Sequence, residues 1–170
     1  MGKDITVYVE VRDNGKWNIL PVKYLNKYAE DGEDAWAYAQ PWRGRNSELF
    51  GILTRAYNNI DYPRGLPDDV SAEVKAERDK WFYESDVDGT RIDGAFDDTW
   101  FTLSELMLAV KDRKKYPKWI KYKDEFGAKQ REAGPYWSLN GFVTAISNFV
   151  DIADGCYNLP DVRVVMWFDN

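Results

Sequence analysis

The sequence of 170 residues contains no histidine and a single cysteine, Cys156. Without histidine, a protein has neither a nucleophile–histidine dyad nor the commonest ligand for zinc and non-haem iron. A lone cysteine forms no intramolecular disulfide, which is typical of proteins in a reducing compartment. Cys156 also follows a predicted helix C-terminus, where a thiolate is disfavoured. We therefore expect a non-catalytic protein that uses neither a metal nor a cofactor.

Net positive charge and long apolar runs are missing as well. The formal net charge is −6 at pH 7 and the pI is near 4.8, whereas general binding of nucleic acid needs a basic face. No apolar run approaches the roughly 18 residues of a transmembrane helix, and no signal-peptide pattern precedes the first predicted strand. We expect one globular domain over residues 1–170, located in the cytoplasm and not bound to a membrane.

Aromatic residues, by contrast, are in excess. They make up 16% of the chain, which is more than a core of this size needs. Some are therefore expected to line a concave surface or an interface, where tryptophan and tyrosine give a large contact area at low entropic cost. An aromatic-rich core with exposed edges is the alternative.

A β-hairpin at residues 4–22 is the strongest structural pattern. Residues 4–12 alternate between aliphatic and polar or aromatic side chains, which predicts a half-buried strand. Asn14-Gly15 supplies the two positive φ angles of a type I′ turn. The partner strand then covers residues 16–22, with Arg12 opposite Trp17, Glu10 opposite Ile19 and Val9 opposite Leu20. One face is aliphatic, with Val7, Val9, Val11, Leu20 and Val22, and the other carries Tyr8, Glu10, Arg12, Trp17 and Ile19.

Helical periodicity and helix-end signals predict three or four helices. They cover residues 45–58, residues 71–82, a segment from the Thr102/Glu105 capping box to about Lys111, and a segment from Ser138 to about Ala153. Residues 84–98 lack periodicity and are predicted to be a loop. Residues 162–168 alternate again and should pair antiparallel with the first strand. The predicted fold is α+β: an antiparallel sheet of three to four strands, in the order hairpin partner, N-terminal strand, C-terminal strand, packed on one face by three or four helices.

Arginines next to aromatic residues form the first candidate site. The motif Trp42-Arg43-Gly44-Arg45 precedes the predicted N-cap Asn46, and a helix N-terminus offers unpaired N–H groups and a partial positive charge to an anion. Trp42 could stack on a base. Tyr62 and Arg64 repeat the same combination. The alternative for these arginines is ordinary surface ion pairs.

The polar face of the predicted sheet is the second candidate site. A carboxylate and an arginine on neighbouring strands could orient a ligand there, while tryptophans enclose its ring. A cross-strand Glu–Arg pair on an exposed face is the alternative. The residues of this face are Tyr8, Glu10, Arg12, Trp17, Arg163 and Trp167.

Residues 84–89 form a third, weaker pattern. Glu84, Asp86, Asp88 and Gly89 match the first, third, fifth and glycine positions of a calcium loop. The twelfth position is Ala95, where such a loop needs a bidentate glutamate. A solvated loop without metal is therefore expected.

Several motifs together resemble a family of small, mostly phage-encoded proteins of uncharacterised function. They are the DIxVxVE strand at residues 4–10, GRNxxLFGIL at residues 44–53, RGLPxDVS at residues 64–71, WFTLxEL at residues 100–106 and VRVVxWFDN at residues 162–170. Relatives carry histidine near Thr6 and before Trp100. Because this chain has Thr6 and Asp97-Asp98-Thr99 there, no metal or acid–base role carries over. The resemblance implies a phage accessory protein in the bacterial cytoplasm that counters host defence.

The leading hypothesis is a non-catalytic protein that sequesters a small anionic ligand, such as a nucleotide immune signal. The second is an acidic protein-binding inhibitor that covers a host defence protein through residues 84–98 and the charged helix before them. The third is a metal-dependent hydrolase that uses carboxylates alone. The expected partner is a small anionic molecule or a host defence protein, and a homo-oligomer is left open. The predicted ligand-binding residues are Trp42, Arg43, Arg45, Asn46, Tyr62, Arg64, Tyr8, Glu10 and Trp17.

Overall fold

The computed structural model describes residues 4–30, 35–42, 49, 53, 63–111, 122–123, 129–130, 135–153 and 157–169. The fold is α+β, as predicted. The helices are α1 (Ala72–Asp79), α2 (Leu103–Lys111) and α3 (Pro135–Ile152), and a 3₁₀ turn covers Leu159–Asp161. The strands are β1 (Asp4–Asp13), β2 (Lys16–Ile19), β3 (Lys23–Leu25), β4 (Trp36–Tyr38), β5 (Phe82–Glu84), β6 (Arg91–Asp93), β7 (Phe96–Thr102), β8 (Tyr122–Lys123), β9 (Lys129–Gln130) and β10 (Val162–Asp169).

The central sheet has four antiparallel strands in the order β2-β1-β10-β7. This confirms the predicted neighbours of β1. Asn14 and Gly15 have φ angles of 50° and 80°, which are the positive values that a type I′ turn requires. Arg12 therefore pairs with Trp17 and Glu10 with Ile19, in the predicted register.

Strand β7 and the hairpin β5–β6 replace the loop that was predicted over residues 84–98. Asp97 has a φ of 53°, and the pairing of β7 with β10 shifts register between Met166 and Phe168. Such a bulge interrupts the two-residue alternation that marks a strand. The hairpin was not predicted because the composition of residues 84–98 is acidic rather than typical of strands. It is formed by the pairing of Phe82 with Asp93 and of Glu84 with Arg91.

The aliphatic face of the sheet packs against α2 and α3, as expected. The capping box at the start of α2 is confirmed, because the backbone N–H of Thr102 donates to Glu105 and that of Glu105 donates to the Thr102 hydroxyl. Helix α3 begins at Pro135 rather than at Ser138. Of the helix predicted over residues 45–58, only Leu49 and Leu53 are described, and both are helical and buried.

The opposite face of the sheet is also covered, which corrects the expectation of helices on one face only. Helix α1 begins after the N-cap Ser71 and places Val74 against Tyr8, Val165 and Trp167. The helix was predicted to be largely solvated, but Val74 and Arg78 are buried. The polar and aromatic residues of this face are consequently inside the molecule.

Candidate functional site

A cleft of about 1010 Å³ opens where the polar face of the sheet ends. The antiparallel order brings the end of β1 and β7 beside the start of β2 and β10, so four strands each contribute a side chain. The segment 63–69 forms the remaining wall of the cleft. It is attached to β7 by a hydrogen bond of 2.8 Å from the backbone N–H of Gly65 to the Asp98 carbonyl. The cleft is lined by Arg12, Trp17, Pro63, Arg64, Leu66, Pro67, Asp68, Asp69, Trp100, Thr102, Pro160 and Arg163.

Three arginines and two tryptophans alternate along this cleft. The guanidinium carbon of Arg163 lies 4.1 Å from the centre of the Trp17 ring and 5.7 Å from that of Trp100. The guanidinium carbon of Arg12 lies 5.4 Å from the centre of the Trp17 ring, and that of Arg64 lies 5.0 Å from the centre of the Trp100 ring. All four distances are within the roughly 6 Å range of cation–π attraction. We call the series Arg12, Trp17, Arg163, Trp100, Arg64 the arginine–tryptophan ladder.

Arg163, the middle rung, is held by two acids. Its Nε donates to Glu10 at 2.6 Å, and its Nη1 donates to Asp69 at 2.6 Å. Glu10 is 0% exposed and also accepts from the backbone N–H of Ser71 at 2.7 Å. Hydrogen bonding from Arg163 lowers the pKa of Asp69. The predicted cross-strand Glu10–Arg163 pair is thus present, but it is buried rather than exposed.

The outer rungs are paired as well. Arg64 donates to both oxygens of Glu105, at 3.1 and 2.9 Å, and to the Trp100 carbonyl at 3.2 Å. Burial alone would raise the pKa of Glu105, but the hydrogen bonds from Arg64 and from the Thr102 backbone outweigh it, and the pKa is lowered. Arg12 donates from Nε to Asp161 at 2.8 Å, which lowers the pKa of that carboxyl.

The ladder therefore carries no excess of positive charge. Its three arginines contact four carboxylates, those of Glu10, Asp69, Glu105 and Asp161. The cleft offers directed N–H donors in a balanced charge environment, whereas the pocket with a positive field was predicted around Arg43 and Arg45, which lie outside the described residues. An anion would have to be held by geometry and stacking rather than by net attraction.

Of the predicted ligand-binding residues, Arg64 and Trp17 line the cleft, and Glu10 supports it from beneath through Arg163. Arg43, Arg45, Asn46 and Tyr62 lie outside the described residues.

Trp42 and Tyr8, which were also predicted to bind the ligand, do not line this cleft. The Trp42 ring meets Phe142 edge-on at 5.6 Å and packs on the aliphatic core. Tyr8 is buried 5.5 Å from Trp167, and its hydroxyl donates to Glu77 at 3.2 Å. Burial raises the pKa of Tyr8 far above its ordinary value, with Glu77 adding to the effect, so the phenol stays neutral.

Trp100 and Asp69 complete the cleft and were not predicted to belong to it. Trp100 lies on β7, whose strand pattern is broken by the bulge, and Asp69 lies in a turn that meets the sheet only in the folded chain. The alternation of Trp100 and Thr102 with Thr99 and Phe101 was the available signal, because the first pair lines the cleft while Thr99 and Phe101 are buried.

A second arginine cluster lies on the same face of the sheet, away from the cleft. Arg78 of α1 donates to both oxygens of Asp93, at 2.8 and 2.6 Å, and from Nε to Asp98 at 2.7 Å. Its guanidinium lies 5.1 Å from the ring of Phe82 and 5.9 Å from that of Trp167. Burial alone would lower the pKa of Arg78, but the hydrogen bonds with its two acids raise it, so this arginine stays charged.

Within the part of the chain that the structure describes, no group of three or more cysteine, aspartate or glutamate residues could hold a metal ion. Residues 84–89, which match a calcium loop only in part, form the last residue of β5 and the turn of the β5–β6 hairpin, where Asp88 accepts from the hydroxyl of Thr90 at 2.7 Å. None of the described helices is long and apolar enough to cross a membrane.

Comparison with protein-family models, with curated proteins and with solved structures found no match to this chain. The function is therefore inferred from the geometry of the cleft itself, and the family resemblance stays a prediction.

Proposed function

We propose that this protein binds and sequesters a small anionic ligand that contains a planar ring, of which a nucleotide is the simplest example. The observation that carries the proposal is the convergence of three guanidiniums and two indole rings in one cleft. Guanidiniums bind phosphate through paired N–H donors, and indole rings stack on bases.

Arg12 is the rung best able to bind a phosphate. Its side chain is 44% exposed, and it uses Nε and Nη2 on Asp161. No described residue accepts a hydrogen bond from its Nη1. Exposed ion pairs contribute little to stability, so a phosphate that replaces Asp161 displaces only a weak contact. Trp100 is only partly buried and lines the cleft, where a ligand ring can contact it.

Binding without turnover agrees with the state of the acids that pair with the arginines of the cleft. The pKa values of Asp69, Glu105 and Asp161 are all lowered by hydrogen bonds from arginine, although burial opposes this at each of them and most strongly at Glu105. A general acid needs a raised pKa, so that it still carries a proton near neutral pH. These carboxylates are ionised there and hold the arginines in place. In the setting that the resemblance implies, such a protein would remove a nucleotide signal of host defence.

Isothermal titration against linear and cyclic nucleotides tests the proposal. We expect at least one of them to bind with a Kd below about 10 μM, which is roughly −7 kcal/mol. Arg12→Ala and Trp100→Leu should each weaken that binding about tenfold or more, because each removes one of the two kinds of contact. Arg91→Ala is the matched control, since Arg91 lies over Phe82 outside the cleft. If no nucleotide binds this tightly, the proposal is wrong.

The exposed tip of the β5–β6 hairpin favours the alternative hypothesis, a protein-binding inhibitor. Its tip exposes Glu84, Asp86 and Asp88 together with Tyr83 and Val87, and Val87 is 94% exposed. This version predicts a stoichiometric protein partner whose binding weakens with salt. The double variant Glu84→Lys/Asp86→Lys should abolish that binding, whereas Arg12→Ala should leave it unchanged.

A further inference from the structure

A tight turn at residues 67–70 forms the edge of the cleft and is fixed from three sides. The backbone N–H of Val70 donates to the Pro67 carbonyl at 3.1 Å, which closes the turn. Arg163 donates to the Asp69 carbonyl at 3.0 Å. The N–H of Ser71 is held by the buried Glu10 at 2.7 Å. Asp68 therefore lies at the tip of a preorganised turn.

Asp68 differs from the acids that pair with the arginines of the cleft. Its side chain is exposed and lines the cleft. Asp69, Glu105 and Asp161 each accept hydrogen bonds from an arginine, whereas no described residue donates to the Asp68 carboxylate. An ionised carboxylate is an acceptor with two coplanar oxygens, so it is complementary to a group with two adjacent N–H donors.

We infer that the cleft selects guanine over adenine, an inference that rests on the proposed binding of nucleotides. The Watson–Crick edge of guanine presents N1–H and the N2 amino group side by side, and both can donate to one carboxylate. Adenine places an acceptor, N1, beside its N6 amino donor, so a carboxylate meets a lone pair. The stacked base lies against Trp100, with its edge toward Asp68 and its phosphate toward Arg12.

Matched nucleotide pairs separate this inference from the proposed function, because the members of a pair share their phosphates and differ only in the base. We expect GMP to bind at least tenfold more tightly than AMP, and cyclic di-GMP more tightly than cyclic di-AMP. IMP, which lacks the N2 amino group, should fall between GMP and AMP. Equal binding of the guanine and adenine members would overturn the inference and leave the proposed function standing. Absence of all binding would remove both.

Asp68→Asn tests the residue itself. An amide offers one donor and one acceptor, which suits adenine and mismatches guanine. We expect the affinity for GMP to fall about tenfold and that for AMP to rise. Because Asp68 is exposed, the variant should fold like the parent chain, which circular dichroism checks. Asp86→Asn is the matched control at an exposed acid outside the cleft. An unchanged ratio of GMP to AMP affinity in Asp68→Asn would contradict the assignment.

Discussion

Arg163 and Arg78 are built alike but differ in what surrounds them. Both are nearly inaccessible, at 2% and 3% exposure, both contact two acids, and both lie beside a tryptophan on the same face of the sheet. The guanidinium of Arg78 lies beside the rings of Phe82 and Trp167 and outside the cleft, whereas Arg163 borders the open cleft. A buried arginine with carboxylate partners is therefore a structural feature of this fold, and it does not by itself indicate a ligand. The indication comes from its neighbours Arg12, Trp100 and Asp68.

The acids around the two arginines also differ in their access to solvent. Of the two partners of Arg163, Glu10 is 0% exposed and Asp69 is 66% exposed, whereas Asp93 and Asp98, the partners of Arg78, both reach water. Removing one member of a buried ion pair leaves the other member charged, with neither its partner nor water around it. The same substitution should therefore have different consequences in the two clusters.

Arg163→Met should have the largest effect on stability. It leaves Glu10 buried with only the Ser71 N–H as a donor among the described residues. We expect the free energy of unfolding to fall by about 3–5 kcal/mol, measured by urea denaturation at pH 7. The double variant Glu10→Leu/Arg163→Met should recover much of this loss, because no charge is then left in the interior. A loss below about 1 kcal/mol in the single variant would show that water reaches Glu10.

Arg78→Met should cost less, about 1–3 kcal/mol in the same assay, because Asp93 and Asp98 can be hydrated after the arginine is removed. Arg91→Met, which removes an exposed neighbour over Phe82, is the matched control and should stay within about 0.5 kcal/mol of the parent chain. If Arg78→Met were as costly as Arg163→Met, exposure of the acids would not explain the difference between the clusters.

Acid should weaken both clusters. Hydrogen bonding from arginine lowers the pKa of Asp69 and of Asp93, although burial opposes it. A carboxyl with a lowered pKa in the folded state adds stability above its ordinary pKa of about 3.9, and this is lost as pH falls through the folded value. We expect unfolding free energies at pH 7, 4 and 3 to drop below pH 4, by about 1 kcal/mol at most for either group, since both reach solvent. Asp93→Asn should make the drop shallower, and an unchanged profile would contradict this assignment.

Arg12→Ala should have the smallest effect on stability, within about 0.5 kcal/mol, because its pair with Asp161 is exposed. Its effect on ligand affinity should nevertheless be tenfold or more. Comparing chemical denaturation with titration calorimetry on the same sample checks this separation of folding from binding. A variant that loses stability and affinity together would make Arg12 a structural residue like Arg78.

Local signals in the sequence predicted much of the fold. Asn14-Gly15 sets the hairpin turn and its register, and Thr102 with Glu105 sets the start of α2, because each acts over only a few residues. The burial of the polar face of the sheet was not predictable from such local signals. Glu10 and Arg163 are 153 residues apart, and the acids and rings around Arg78 come from four strands, β5, β6, β7 and β10. A sheet face that carries polar and aromatic residues is predicted to be exposed unless the residues that cover it are known.

The cleft was predicted only in part for the same reason. Trp17 was identified from the strand alternation that places it on the polar face, and Arg64 from its position near Tyr62 in the sequence, since arginine beside aromatic residues is typical of anion sites. Their meeting depends on β10 and β7 bringing Arg163 and Trp100 between them. Trp42 shows the opposite case, because its sequence neighbourhood predicted ligand contact and its ring packs on Phe142 instead.

Titration of ¹⁵N-labelled protein with GMP, followed through the tryptophan indole N–H signals, tests the central claim most directly. Trp17 and Trp100 line the cleft, whereas Trp167 lies beside Arg78 at 0% exposure. Signals assigned by single Trp→Phe variants should shift with GMP for Trp17 and Trp100 and stay in place for Trp167. Shifts confined to Trp167, or no shift at any of the three at saturating GMP, would contradict the claim that the cleft beside Arg163 is the binding site.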